Sequence, residues 1–137
     1  MKKIFIGSFF LISGMLQAQK VSLIVDMTSF KSNDGRVKIG LYNSETNFLK
    51  LPLKSLAADI KNREASVTFE GIEKGEYAVS IYHDENNNGQ LDTGFMGIPS
   101  EGYASSNNAK GFMGPPKYAD AKVNVNTNSK ITITVNN

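Results

Sequence analysis

The 137-residue chain carries 15 basic and 13 acidic side chains, no cysteine, no tryptophan and one histidine, His83. That inventory excludes disulfides, thiol chemistry, cysteine-bound zinc and a multi-histidine metal site within one chain. Lys2 and Lys3 account for the excess of positive charge, so 13 bases (15 − 2) face 13 acids elsewhere, and no like-charge run marks a nucleic-acid track.

Residues 1–18 read as a leader. Lys2 and Lys3 make a positive start, Ile4 to Leu16 is mostly apolar, and Leu16-Gln17-Ala18 resembles a small-residue cleavage site. This is the pattern of a secretory signal peptide cut after Ala18. The apolar run falls short of the ~20 residues a transmembrane helix needs. An exported protein is expected, periplasmic or at the cell surface and extracellular, with no membrane span after cleavage. The remaining 119 positions (137 − 18), residues 19–137, suit one domain with a core of its own.

Strand patterns then follow in order. Val21–Phe30 alternates, with Val21, Leu23, Val25 and Met27 on one face. A turn cluster, Ser32-Asn33-Asp34-Gly35, leads to Arg36–Tyr42 with Val37, Ile39 and Leu41 inward, so the two runs are expected to pair as a hairpin. Residues 44–54 are irregular, with a short helical turn near Phe48, and Leu56–Ile60 reads as a weak strand or a helical turn. Ala65–Phe69 and Glu76–His83 are strands, the second setting Tyr77, Val79 and Ile81 against Ala78, Ser80 and Tyr82. Tyr77, behind Gly71-Ile72-Glu73-Lys74-Gly75, fits a tyrosine corner whose hydroxyl bonds upstream backbone. Residues 93–117 carry no strand pattern. Gly94-Phe95-Met96-Gly97 and Gly111-Phe112-Met113-Gly114 bracket them, each expected to tuck a Phe–Met pair into the sandwich end. Tyr118–Val125 and Lys130–Val135 are expected to close the domain as a hairpin around Asn126-Thr127-Asn128.

The sharpest chemical signal is Asp84-Glu85-Asn86-Asn87-Asn88-Gly89-Gln90-Leu91-Asp92. Asp84, Asn86, Asn88, Gly89 and Asp92 occupy positions 1, 3, 5, 6 and 9 of a calcium loop, and the Gln90 carbonyl stands at position 7. Position 12 is Phe95 instead of a bidentate glutamate, and a strand leads in instead of a helix. An EF-hand is therefore excluded. Two readings stand. One is a weak calcium site completed by Glu101, with affinity toward ~10⁻⁴–10⁻³ M. The other is a solvated turn set by Asn88-Gly89. Calcium is the one cofactor the sequence suggests.

His83-Asp84 near Ser100, Ser105 and Ser106 invites a hydrolase reading. Neighbouring residues on a strand point to opposite faces, and no nucleophile-elbow glycines flank a serine. His83 fits better as a strand-end residue bonding loop backbone, and no enzyme is expected. Tyr103, Asn107 and Asn108 lie in a polar block that would present a ligand surface for carbohydrate or peptide, or else shape the loop through asparagine bonds to backbone.

The run Phe69-Glu70-Gly71-Ile72-Glu73-Lys74-Gly75-Glu76-Tyr77, continued through His83 to Asp92, resembles the central block of the secreted bacterial family called domain of unknown function 2141. Gly97-Ile98-Pro99, Glu101-Gly102-Tyr103, Ser106-Asn107-Asn108-Ala109 and Gly114-Pro115-Pro116 fit as well. The resemblance implies an extracytoplasmic domain with an immunoglobulin-like or prealbumin-like fold, and it supplies no activity. The Phe69–Tyr77 pattern is also similar to repeat modules of bacterial surface proteins, which are structural or adhesive. The expected fold is all-β: a single antiparallel β-sandwich of about seven strands with one long ordered loop. The expected function is a structural or binding module whose partner is an extracytoplasmic ligand or protein.

Overall fold

The computed structural model describes residues 19–94 and 99–136, so the leader at 1–18 lies outside the described residues. Eight strands form: β1 Lys20–Thr28, β2 Arg36–Tyr42, β3 Lys54–Asp59, β4 Ala65–Glu73, β5 Gly75–Asp84, β6 Tyr103–Ser105, β7 Val123–Val125 and β8 Ser129–Thr134. One helical turn, α1 at Tyr118–Ala121, precedes β7, and a 3-10 turn spans Ser106–Asn108. The first sheet runs β4-β1-β8. The second runs β3-β2-β5-β6, with β7 pairing on β5.

The strict alternation of β1 decides its place. Val21, Leu23, Val25 and Met27 are buried and the residues between them are not, so one face meets the core. The same holds for Val37, Ile39 and Leu41 of β2, while β5 buries Tyr77, Val79 and Ile81 on its core face and Ala78 on the opposite one. These residues, with Phe30, Phe69, Ile72, Val125 and Ile133, fill one core between the sheets. The all-β sandwich expected from the pattern is the observed architecture.

Alternation does not name a strand's partner, and two expected hairpins are absent. β1 pairs with β4 antiparallel and β8 in parallel, while β2 pairs with β3 and β5 in the other sheet. The turn at Ser32–Gly35 therefore crosses between sheets. Likewise β7 pairs with β5 and β8 with β1, so Asn126-Thr127-Asn128 also joins different sheets. Leu56–Ile60 resolves as the edge strand β3.

β4 extends past the expected end at Phe69 because a bulge absorbs one residue. Its register against β1 shifts between Val21↔Ile72 and Leu23↔Phe69, where Gly71 takes a left-handed φ of 63°. The extra residue keeps both Phe69 and Ile72 inward. Tyr118–Val125 is not one strand. Behind Pro115-Pro116 the chain makes one helical turn, and Tyr118 and Ala121 pack with Tyr42, Phe48 and Ala78 on the outer face of the second sheet. That small second cluster fastens the long loop to the sandwich.

Candidate functional site

The outer face of the second sheet is covered at one end by that cluster and left open at the other. Across β5 and β6, Tyr82 pairs with Tyr103 and Ser80 with Ser105. Paired residues share a face, so two tyrosines and two serines form a floor. Leu91 stands over it from the acidic loop, Thr93, Pro99, Gly111 and Met113–Pro116 from the long loop, and Leu49 from the 44–53 turn. The result is an open cleft of about 640 Å³, within the range of small-ligand sites. Its described lining holds no charged side chain.

The acidic loop is the cleft's anchor. Asp84, 1% exposed at the end of β5, accepts the Asn88 N–H through Oδ1 at 3.1 Å and the Gly89 N–H through Oδ2 at 2.9 Å. Gly89 supplies the left-handed residue, φ 77°, and its carbonyl accepts the Tyr82 hydroxyl at 2.9 Å. Asn86 Oδ1 accepts the Asn88 N–H at 3.2 Å, and Asn88 Oδ1 accepts the Gln90 N–H at 2.9 Å. Asp92 receives the side-chain amides of Asn86 at 2.5 Å and Asn88 at 2.6 Å.

Glu101, 6% exposed, ties this loop to the chain's return. Its Oε2 accepts the Glu85 N–H at 2.7 Å and its Oε1 the Asp92 N–H at 2.8 Å. Burial first, then the charges of Asp84 and Glu101, raise the Tyr82 phenol above its usual value, so it stays protonated as a donor.

The structure thus brings Asp84, Asn86, Asn88, Gly89, Gln90, Asp92 and Glu101 into one knot. Among the described residues no group of three or more acidic, histidine or cysteine side chains is arranged to hold a metal ion. Phe95, which takes the place of the closing ligand, lies outside the described residues.

The polar block divides. Tyr103 lines the cleft and is 40% exposed. Asn107 donates to the carbonyls of Asp120 and Lys122 at 3.2 and 2.9 Å, and Asn108 accepts the Thr134 N–H at 2.9 Å. Those two asparagines brace α1 and β8, away from the cleft lining. At the other end of β5, the Tyr77 hydroxyl donates to the Glu73 carbonyl at 2.6 Å, the upstream bond a tyrosine corner needs. The second Phe–Met pair is not tucked in: Phe112 and Met113 are each 93% exposed. The first pair, Phe95 and Met96, lies outside the described residues.

His83 is fully buried. Its Nε2 is 2.5 Å from the Asp34 carbonyl, an acceptor only, so Nε2 carries the proton. Nδ1 has no hydrogen-bond partner and lies 3.7 Å from the Glu85 carboxylate. None of Ser100, Ser105 and Ser106 bonds to His83, and the Ser106 hydroxyl is occupied by Val79 and Ala121 backbone.

Sequence reasoning missed Tyr82, Leu49, Leu91 and the proline wall. The signal was present for Tyr82 and Ser80, which alternate onto the outward face of β5.

Residues 25–134 match a family described as an uncharacterised protein conserved in bacteria, domain of unknown function 2141. Neither a curated protein nor a solved structure gives a significant match.

Proposed function

The chain belongs to domain of unknown function 2141, and we propose that it serves as an exported, non-enzymatic binding module. The cleft over Tyr82 and Tyr103 is its ligand site. The carrying observation is that cleft: concave, uncharged in its described lining, floored by two neighbouring tyrosines and rimmed by prolines. Few convergent polar groups in an apolar hollow are the usual make-up of a binding site. Charged ligands find no counter-charge there, so the ligand is an uncharged carbohydrate or peptide segment. The leader-like residues 1–18 support export. Glycan and peptide arrays probed with the protein test the reading. Binding should fall at least tenfold in Tyr103→Ala at unchanged melting temperature. Arrays without a hit, or a variant that binds as well as the parent, reject it.

The oxygen spacing of the loop supports a second role, a calcium ion held by Asp84, Asn86, Asn88, Asp92 and the Gln90 carbonyl, with Glu101 behind them. For that ion the Asn86 and Asn88 amides, which donate to Asp92, would turn their oxygens inward. An ion at ten times its dissociation constant adds about 1.4 kcal/mol. Melting in millimolar calcium against chelator decides this: a rise of several degrees supports the ion, and an unchanged midpoint rejects it.

A further inference from the structure

Two stretches leave the sandwich side by side and turn apolar residues to solvent. Phe48 and Tyr118 pack ring against ring, centroids 5.7 Å apart, in the small outer cluster. Leu49 follows directly on Phe48, and Lys117 directly precedes Tyr118, so the bases of both stretches are fastened together. The first runs Leu49-Lys50-Leu51-Pro52-Leu53-Lys54, and the second runs Lys110-Gly111-Phe112-Met113-Gly114-Pro115-Pro116-Lys117. Leu49 and Met113 both line the same cleft.

The apolar residues are presented, not buried. Leu51 is 66% and Leu53 51% exposed, and Phe112 and Met113 project almost completely. The second stretch is built to project. A Cβ on Gly111 would lie 1.9 Å from the Gly114 carbonyl and 2.3 Å from that of Pro115, so only glycine lets the loop fold back this tightly. Met113 turns the tip with a left-handed φ of 54°. Large exposed apolar side chains grouped in this way mark an interaction surface.

The charge around the tip names the partner. Lys50, Lys54, Lys110 and Lys117 are exposed, and no acidic residue occurs in either stretch. Among the described residues none of the four lysines is in an ion pair, and Lys54 donates to the Glu70 carbonyl. Leucine, phenylalanine and methionine flanked along the chain by exposed lysines outside any described ion pair fit the headgroup boundary of a lipid layer. There the apolar tips enter the acyl region and the ammonium groups meet phosphate. We infer that this lysine-flanked tip is a peripheral docking surface for an anionic phospholipid bilayer. The inference does not depend on what fills the cleft.

Vesicle flotation tests it, comparing a phosphatidylglycerol–phosphatidylcholine mixture with phosphatidylcholine alone. The protein should float with the mixed vesicles, stay behind with the zwitterionic ones, and be released by about 0.5 M salt, where screening shortens the reach of the lysines. Phe112→Ser with Met113→Ser should weaken partitioning at least tenfold at unchanged melting temperature, since both side chains contact little of the fold. Lys50→Gln and Lys110→Gln should each cost roughly fivefold, the factor equivalent to the ~1 kcal/mol per basic residue at an anionic surface. Failure to float with mixed vesicles overturns the inference, as does equal flotation of the double-serine variant. A vesicle-independent dimer abolished by the same two substitutions would make the tip a self-interface and overturn it too.

Discussion

Replacing Glu101 with alanine removes two acceptors at once, from the Glu85 N–H at 2.7 Å and the Asp92 N–H at 2.8 Å. Both bonds are short and made to a carboxylate, the class worth about 1.5–3 kcal/mol each. Glu85 and Asp92 are only half-buried, so water will satisfy part of what is lost. The expected cost is therefore about 2–4 kcal/mol. At roughly 4 °C per kcal/mol for a domain this size, the melting midpoint should fall by roughly 8–16 °C. Glu101→Gln keeps one acceptor oxygen but sets an amide N–H₂ against a backbone N–H, and should recover about half of the loss. Urea unfolding followed by tyrosine fluorescence measures the difference, and hydrogen exchange at the Glu85 and Asp92 amides locates it. An alanine variant within about 0.5 kcal/mol of the parent, the spread of ordinary surface substitutions, with both amides still protected, would refute the clamp.

Three further outcomes are expected. Tyr77→Phe deletes the bond to the Glu73 carbonyl and should cost about 1 kcal/mol in the same unfolding assay, with little change of fold. Gly35→Ala should cost more than about 1 kcal/mol, because Gly35 sits at a φ of 66° and an added Cβ would lie 1.9 Å from the Asp84 carbonyl; circular dichroism melting reads it directly. Burial first, and then the neighbouring Glu76 carboxylate, push the Tyr118 phenol up from its ordinary 10.0 to about 12. Since its folded value is raised, the stabilisation it carries is complete below pH ~10 and is lost between pH ~10 and ~12. Phenolate absorbance and stability against pH should show this, and Tyr118→Phe should remove that alkaline loss.

Much of the sandwich was legible because its signal is local. Val21 to Met27, Val37 to Leu41 and Tyr77 to Ile81 each alternate over one face, and each is buried as its own pattern demands. Pairing is not local. The β1 pattern is equally consistent with β2 beside it or across from it, and only packing of both sheets decides. The reach of β4 to Glu73 depended on Gly71 serving as a bulge, where a glycine between apolar residues reads more readily as a turn. In the site, the carboxylate positions of the acidic loop were readable from their spacing. What each oxygen does was not, since Asp84 accepts the Asn88 and Gly89 N–H groups of its own loop, and Glu101, carried back by the long loop, accepts those of Glu85 and Asp92. The cleft was hidden because its floor comes from paired residues on two strands and its walls from three separate segments. The solvent-facing Phe112 runs against the rule that aromatics pack inward, a rule that holds only where a surface waits to receive them.

The parallel pairing of β1 with β8 joins Leu23 to Ser129, 106 positions apart (129 − 23). Pairings of such separation are slow to form, because the intervening chain must be ordered first. Until β8 arrives, β1 presents one unpaired edge beside a row of large apolar side chains. An open edge of that kind recruits strands from other molecules. A nascent or shortened chain lacking residues 129–134 is thus a template for aggregation more than a weakened domain, and the final strand acts as the safeguard against it.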